Sequence, residues 1–401
     1  MPSQAVLERV QTPTEAELVE RARALVPVLR ARAAACEDNR SVPLETVADF
    51  EAAGFYRILQ PAALGGYELH PMALYRVSME LAKGCPSSAW CLCLVGIHNW
   101  ELALLDPKAA HDVWDANPDA RLSSSYGPFG QVERMEGGFR VSGRWPWSSG
   151  CDHCSWVMLG GFAPKSEPGG PPDHRAFLIP RAEYEIDDTW HVFGLKGTGS
   201  KDIVVKGAFV PEHRTHRLIE SFRMQDVGLK TFTSPHYRYP FGLVFAYCLA
   251  VVVLGMADGA LEAFAEQMAE RRGTFDGAKA IEDPFVRQRM AQADALIRGL
   301  HQKLEANFAE LDACVAAGQP IPVRTRVNNK WDAQVIAKTA IEAIELLFKA
   351  TGARGIRLSN PIQRYFRDAH AASNHAYLNA DKGALNAGFV AMGGENGDFV
   401  L

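Results

Sequence analysis

The hydrophobic pattern changes period twice along the chain, and this change limits the fold more than any other feature. From Arg121 to about Pro211, short runs alternate between apolar and polar residues and are separated by Gly and Pro, the pattern of a modest sheet. On both sides of this segment, apolar residues recur at helical spacing. The spacing predicts strands at Arg121–Ser125, Gln131–Glu136, Gly138–Arg144, Ser155–Phe162, Arg175–Pro180 and Ile203–Val210. It predicts helices before them at Leu44–Ala53, His70–Lys83, Ser87–Leu105 and Ala109–Ala116. After them come longer helices at Pro240–Arg272, Pro284–Ala317, Arg324–Thr351 and Pro361–Leu378, lengths that suit an antiparallel bundle. A chain of 401 residues is long for a single core. The expectation is an α+β protein in three parts: a helical part over residues 1–120, a β part over 121–220 and a helix bundle over 221–401.

Local signals refine this outline. Thr12-Pro13-Thr14-Glu15 has the form of a capping box with Pro at the first helical position. Leu18, Ala22, Leu25 and Leu29 follow on one face, and Pro27 is expected to bend that first helix. Pro164–Pro172 reads as a surface turn, and Met224–Pro240 as an aromatic-rich connection or lid. Phe241–Ala257 carries no charged side chain but falls short of the roughly 20 residues a bilayer requires. With Tyr247, Cys248 and Gly255 inside it and Asp258 just beyond, it reads as a helix buried within the bundle.

Composition narrows the function. The chain is 47% hydrophobic and 22% charged, with a net charge of −5, which gives no pull toward nucleic acid or an anionic membrane. The start, Met1-Pro2-Ser3-Gln4-Ala5, lacks the pattern of an export signal, so the cytoplasm is the default. Eight cysteines in such a chain argue for thiols rather than a disulfide framework. Cys151-Asp152-His153-Cys154 has the spacing of half a zinc site or of a redox pair, but no second C-x-x-C completes it, and no metal is expected. Gly194-x-x-Gly197-x-Gly199 lacks the order and the strand-turn-helix setting of a dinucleotide fingerprint, so no resident nicotinamide site is expected.

Chemistry concentrates in four stretches. Trp147-Ser148-Ser149-Gly150 sets two hydroxyls between an indole and a tight turn, an arrangement able to hold a redox heterocycle. Gly96-Ile97-His98-Asn99-Trp100, Gly194-Leu195-Lys196-Gly197-Thr198-Gly199-Ser200 and Pro361-Ile362-Gln363-Arg364-Tyr365-Phe366-Arg367-Asp368-Ala369-His370-Ala371 are the others. In this order the four resemble the acyl-CoA dehydrogenase fold. Within that fold they resemble the flavin-dependent monooxygenases that hydroxylate phenols as the oxygenase half of two-component systems, above all those acting on a ring-opened steroid phenol. The resemblance covers nearly the whole chain.

The resemblance implies an N-terminal α-helical domain, a middle β domain and a C-terminal four-helix bundle. It implies reduced FMN or FAD delivered by a separate reductase, O2 as co-substrate, a homotetramer, and ortho hydroxylation of a phenol through a flavin C4a-hydroperoxide. It places Ser148 at the flavin N5 edge, Trp147 along the isoalloxazine and Ser149 as a second donor; from the residues alone, a Ser-Ser turn satisfying its own backbone remains open. It places Ser124 and Ser125 near the pyrimidine side, where the bare reading is a solvated strand edge. Arg272 resembles an arginine that reaches the flavin phosphate across a subunit boundary, a task that suits its planar fork; a surface charge pair is the alternative.

His98 lies in an apolar helical run, where pattern alone favours a satisfied core histidine. The resemblance instead puts it beside the flavin and the phenol, in substrate positioning or proton handling. Where fatty-acyl dehydrogenases carry a carboxylate base, this chain reads His370-Ala371-Ala372-Ser373-Asn374-His375, which argues against abstraction of a proton α to a thioester. An imidazole titrating near neutrality suits deprotonation of a phenol, with His375 the first choice and His370 the second; for each, a helix-surface histidine is the plain alternative. Phe232, His236, Tyr237 and Tyr239 are expected to wall the substrate pocket. The competing enzyme reading is acyl-CoA dehydrogenation with tightly bound FAD, and the non-catalytic one is an inactive flavin carrier.

Overall fold

The computed structural model describes residues 12–165, 172–273 and 277–401. The N-terminal residues weighed for an export signal, most of the Pro164–Pro172 turn, and Thr274 and Phe275 beyond Arg272 lie outside the described residues. Five helices come first: α1 (Glu15–Asn39), α2 (Leu44–Ala52), α3 (Pro71–Ala82), α4 (Pro86–Glu101) and α5 (Pro107–Trp114). The first starts two residues later than expected. Thr14 rather than Thr12 is the N-cap, accepting from the Glu17 N–H while the Glu17 carboxylate accepts from the Thr14 N–H. Both tetrads fit the S/T-x-x-E pattern, and the one used leaves Pro13 outside the helix, with Glu15 and Glu17 in its first turn. Pro27 is accommodated inside α1.

The sheet comes next: β1 (Leu122–Met135), β2 (Gly138–Ser148), β3 (Trp156–Ala163), β4 (Asp173–Pro180), β5 (Glu185–Asp187), β6 (Lys201–Pro211) and β7 (Thr215–Arg217). The spatial order is β5-β6-β2-β1-β3-β4-β7, antiparallel except where β1 pairs β3. Two expected strands merge into β1, whose pairing with β3 shifts register between Ser125 and Gly130. β5 and β7, three residues each, are too short for alternation to reveal.

The remaining helices are α6 (Leu218–Arg223), α7 (Phe241–Glu270), α8 (Pro284–Ala316), α9 (Val323–Thr351), α10 (Pro361–Ala372) and α11 (Ala380–Ala391). α7 is long and apolar enough to cross a membrane, but 94% of its most apolar window is buried inside the protein, as expected of a helix covered on all sides. Its one phenol there is satisfied internally: Tyr247 donates to Asn329 Oδ1 and accepts from Asn307 Nδ2.

The last expected helix is broken in two. Ser373 Oγ and Asn374 Nδ2 both bond the His370 carbonyl, at 2.8 and 2.9 Å, and this competition by short polar side chains ends α10 at Ala372. Asn379, whose side chain accepts from the Lys382 N–H, then caps α11. This break frees His375 from the helix.

Candidate active site

α4 is buried over its whole length, and its last turn carries His98 (1% exposed) and Glu101 (0%). The middle of β1 brings Tyr126 across to them. The Tyr126 hydroxyl donates to Glu101 Oε2, and burial beside that carboxylate pushes the phenol pKa well up, so its proton stays on the donor oxygen. His98 Nδ1 lies 3.1 Å from the Tyr126 oxygen and 3.5 Å from Glu101 Oε2. Both neighbours can only accept from it, so Nδ1 carries a hydrogen and Nε2 of the neutral ring holds a lone pair.

His375 is the opposite case. It is the N-cap of the turn Ala376–Leu378, and its Nδ1 accepts from the Tyr377 N–H at 3.3 Å. The neutral ring therefore bears its hydrogen on Nε2. Burial pushes its pKa down to about 4. This lies below the near-neutral titration expected of it, since among the described residues no carboxylate is bonded to the ring to offset desolvation.

The two histidines face one aromatic group. Phe245 of α7 lies 6.1 Å from His98, 6.0 Å from His375, 5.5 Å from Tyr126 and 4.8 Å from Tyr377, measured between ring centres. Phe241 and Trp90 extend the wall, Trp90 lying 6.0 Å from His375. Helix α4, strand β1, helix α7 and the freed turn thus converge on one aromatic cluster with two polar ring edges.

The serines divide by strand alternation, since neighbouring residues in a strand face opposite ways. Ser123 and Ser125 point into the sheet: Ser123 accepts from Ser148, and Ser125 donates to the Pro146 carbonyl. Ser124 and Tyr126 share the other face, where the Ser124 hydroxyl approaches the Tyr126 oxygen. Ser148 is wholly buried and donates its hydroxyl hydrogen to Ser123 at 3.0 Å, which leaves its oxygen to act only as an acceptor. Ser149 is half-buried, bonded to Ser200 at 2.8 Å and receiving the Trp90 Nε1–H at 3.3 Å; Thr198 continues the hydroxyl line at 2.7 Å from Ser200. Gly150 permits this turn, with φ of +70° and its N–H on the Thr198 carbonyl, a conformation that costs glycine little.

Trp147 is 63% exposed, edge-on to Phe129, and has a φ of +70°. Such a backbone is uncommon for a bulky residue and costs about 1–3 kcal/mol. A flavin requires an aromatic surface against its rings and hydroxyl donors along its edge. The strained, exposed indole supplies the first and the Ser149–Ser200 hydroxyl pair the second, so these residues fit the cofactor.

Other expected residues fall elsewhere. His370 packs on Phe366 at 4.4 Å and stands 3.2 Å from Glu345, outside the cluster. Arg272 is exposed beyond the end of α7, bonded to the Gly277 carbonyl of its own turn. The aromatic residues expected from Met224–Pro240 to wall a substrate pocket lie outside this cluster: Tyr239 donates to Asp312, Tyr237 donates to the Leu59 carbonyl, Phe232 packs on Tyr237, and His236 packs on His70. Gly228 presses this strap onto the N-terminal helices, where a Cβ would meet the Ala103 carbonyl at 2.0 Å. Sequence reasoning missed Glu101, Tyr126, His216, Phe245 and Tyr377. Glu101 alone left a signal, a carboxylate three residues after His98 in an apolar helix.

Comparison with known proteins decides the family. The acyl-CoA dehydrogenase N-terminal domain matches residues 12–103 and the C-terminal domain residues 247–380. A Rhodococcus jostii protein, the flavin-dependent monooxygenase oxygenase subunit HsaA, is 40% identical over 359 residues, covering 89% of this chain and 94% of that one. The chain belongs to the acyl-CoA dehydrogenase family. Within it, the chain is a flavin-dependent aromatic hydroxylase, the oxygenase component of a two-component monooxygenase, using reduced flavin from a reductase and O2. The crystal structure of 3-HSA hydroxylase from Rhodococcus sp. RHA1 superposes with a TM-score of 0.91 at 37% identity, over 96% of this chain and 99% of that one. XiaF from Streptomyces sp., solved with FADH2 and glycerol, gives 0.88 at 27% identity over 96% and 97%.

Proposed function

We propose that this hydroxylase acts on a ring-opened steroid phenol, and that its two pocket histidines divide the proton work by tautomer. The opposed hydrogen-bonding of the two Nδ1 atoms carries this reading. His98, with Nδ1–H held by Tyr126 and Glu101, presents Nε2 as the acceptor for the phenol proton. His375, with Nδ1 engaged by the Tyr377 N–H, presents Nε2–H as a donor. The base assigned to His375 from the sequence therefore passes to His98. Removing the phenol proton raises electron density at the ortho carbon, where oxygen enters.

When bound, reduced flavin supplies the electrons that activate O2. Ser149, Ser124 and Trp147 orient it, and Phe241, Phe245 and Tyr377 keep water from the reacting atoms. Similarity to a 3-HSA hydroxylase supports the steroid phenol, and the exposed Arg272 supports a homotetramer in which that side chain reaches a neighbouring subunit's flavin phosphate. The cytoplasm is the compartment that suits a supply of reduced flavin. Nitrogen NMR on protein labelled in its imidazole rings tests the division. His98 is expected to carry its hydrogen on Nδ1 and His375 on Nε2; the same tautomer at both would overturn it.

A further inference from the structure

Behind His98 lies a buried ionic group to which proton transfer from the phenol assigns no part. Glu101 Oε1 is 2.8 Å from His216 Nδ1, and His216 Nε2 is 2.9 Å from Asp226 Oδ1. Glu101, His216 and Asp226 are 0%, 3% and 4% exposed. Both nitrogens of His216 face carboxylate oxygens, so both carry hydrogen and the ring is an imidazolium. Burial opposes that charge, but the bonds to Asp226 and Glu101 raise the ring to about 10. Burial likewise opposes ionisation of Glu101, while His216 and His98 bring it down to about 2. Two carboxylates and one imidazolium leave a single net negative charge, sealed with Glu101 Oε2 3.5 Å from His98 Nδ1.

Such a group adds little stability over apolar packing of the same volume, because desolvation offsets most of the attraction. Its position is more telling. Three separate elements, the end of α4, strand β7 and the Asp226 loop, converge to place one carboxylate against the Nδ1 side of the proton-accepting ring. We propose that Glu101, with His216 and Asp226 behind it, is a positioning group that fixes the tautomer of His98 and holds the imidazolium formed when the phenol proton arrives. The proposal rests on the reading of His98 as proton acceptor. The groups facing His98 are Glu101 on its own helix, Tyr126 from β1 and the uncharged Phe245 from α7, so Glu101 is the nearest charge. A negative charge there lies against the ring that receives the phenol proton.

The test is single-turnover hydroxylation of a simple phenol, read by rapid chemical quench with pre-reduced flavin between about pH 6 and pH 9, where imidazoles exchange protons. In the wild type, the rate is expected to fall on the acid side, as it does where a general base must be free of its proton. Glu101→Gln is expected to move that acid limb to lower pH and to lower the plateau about 10- to 100-fold. Asp226→Asn, at the far end of the group, is expected to move the limb the same way by less. It decides the matter if Glu101→Gln fails to fold. A folded variant with a lower plateau but an unmoved limb would show a merely structural role and overturn the proposal. His98→Asn separates the two layers: loss of the limb in that variant, with an unmoved limb in Glu101→Gln, sinks only the positioning role. A limb that survives His98→Asn sinks the underlying assignment.

Discussion

Adjacent hydroxyls at a strand end reach opposite sides of the sheet, and Ser148 and Ser149 differ in role for that reason. Ser148 Oγ sits inside the sheet on Ser123, whereas Ser149 Oγ joins Ser200 and the Trp90 indole on the pocket side. Ser149→Ala is therefore expected to weaken reduced-flavin binding by about 1 kcal/mol, the net worth of a typical hydrogen bond, with little effect on melting. Ser148→Ala is expected to do the reverse, lowering stability by about 1 kcal/mol and sparing the flavin. Flavin titration under nitrogen and thermal denaturation of both variants check this; equal loss of flavin affinity in the two would return Ser148 to the site. The pair also marks the limit of what the sequence discloses. The motif Trp147–Gly150 announces a cofactor loop, but which serine faces it depends on strand phase, and the register shift between Trp145 and Ser148 against β6 breaks the simple count.

At the scale of elements, the turn after α10 does two jobs. His375 caps Ala376–Leu378 through Nδ1 and lines the pocket with its ring. His375→Asn retains a side chain able to cap, and His375→Ala does not, so Ala is expected to cost about 1 kcal/mol more stability. The ring also ties stability to pH. Its folded pKa, pushed down to about 4, lies below the unfolded value of about 6.5, so the unfolded chain binds the extra proton between those values. Wild-type stability is therefore expected to fall as pH drops from about 6.5 to about 4, and His375→Asn is expected to flatten that limb. Denaturant unfolding across the range measures it, and identical slopes in both proteins would contradict the neutral ring. The sequence showed the long helices to within a few residues because their hydrophobic faces repeat many times. It hid the end of α10, which Ser373 and Asn374 decide through their bonds to one carbonyl. The aromatic strap at Met224–Pro240 shows a related limit: composition discloses its rings, but not that Tyr237 meets Leu59 and Tyr239 meets Asp312.

Over the whole molecule, no single part owns the pocket. The N-terminal helices contribute His98, Glu101 and Trp90; the sheet contributes Tyr126, Ser124 and Ser149; the C-terminal helices contribute Phe241, Phe245 and the His375–Tyr377 turn. Family membership was legible because four motifs survive in order along the chain. The proton-handling geometry was not, because Glu101, Tyr126, His216 and Asp226 come from three distant stretches and meet only in the fold. The measurement that bears most directly on the account is one turnover with isotopically labelled oxygen gas, pre-reduced flavin and the ring-opened steroid phenol, with mass analysis of the product. The account predicts one labelled oxygen atom in the product, on the carbon ortho to the existing hydroxyl, and none when reduced flavin is withheld. An unlabelled or dehydrogenated product would contradict it.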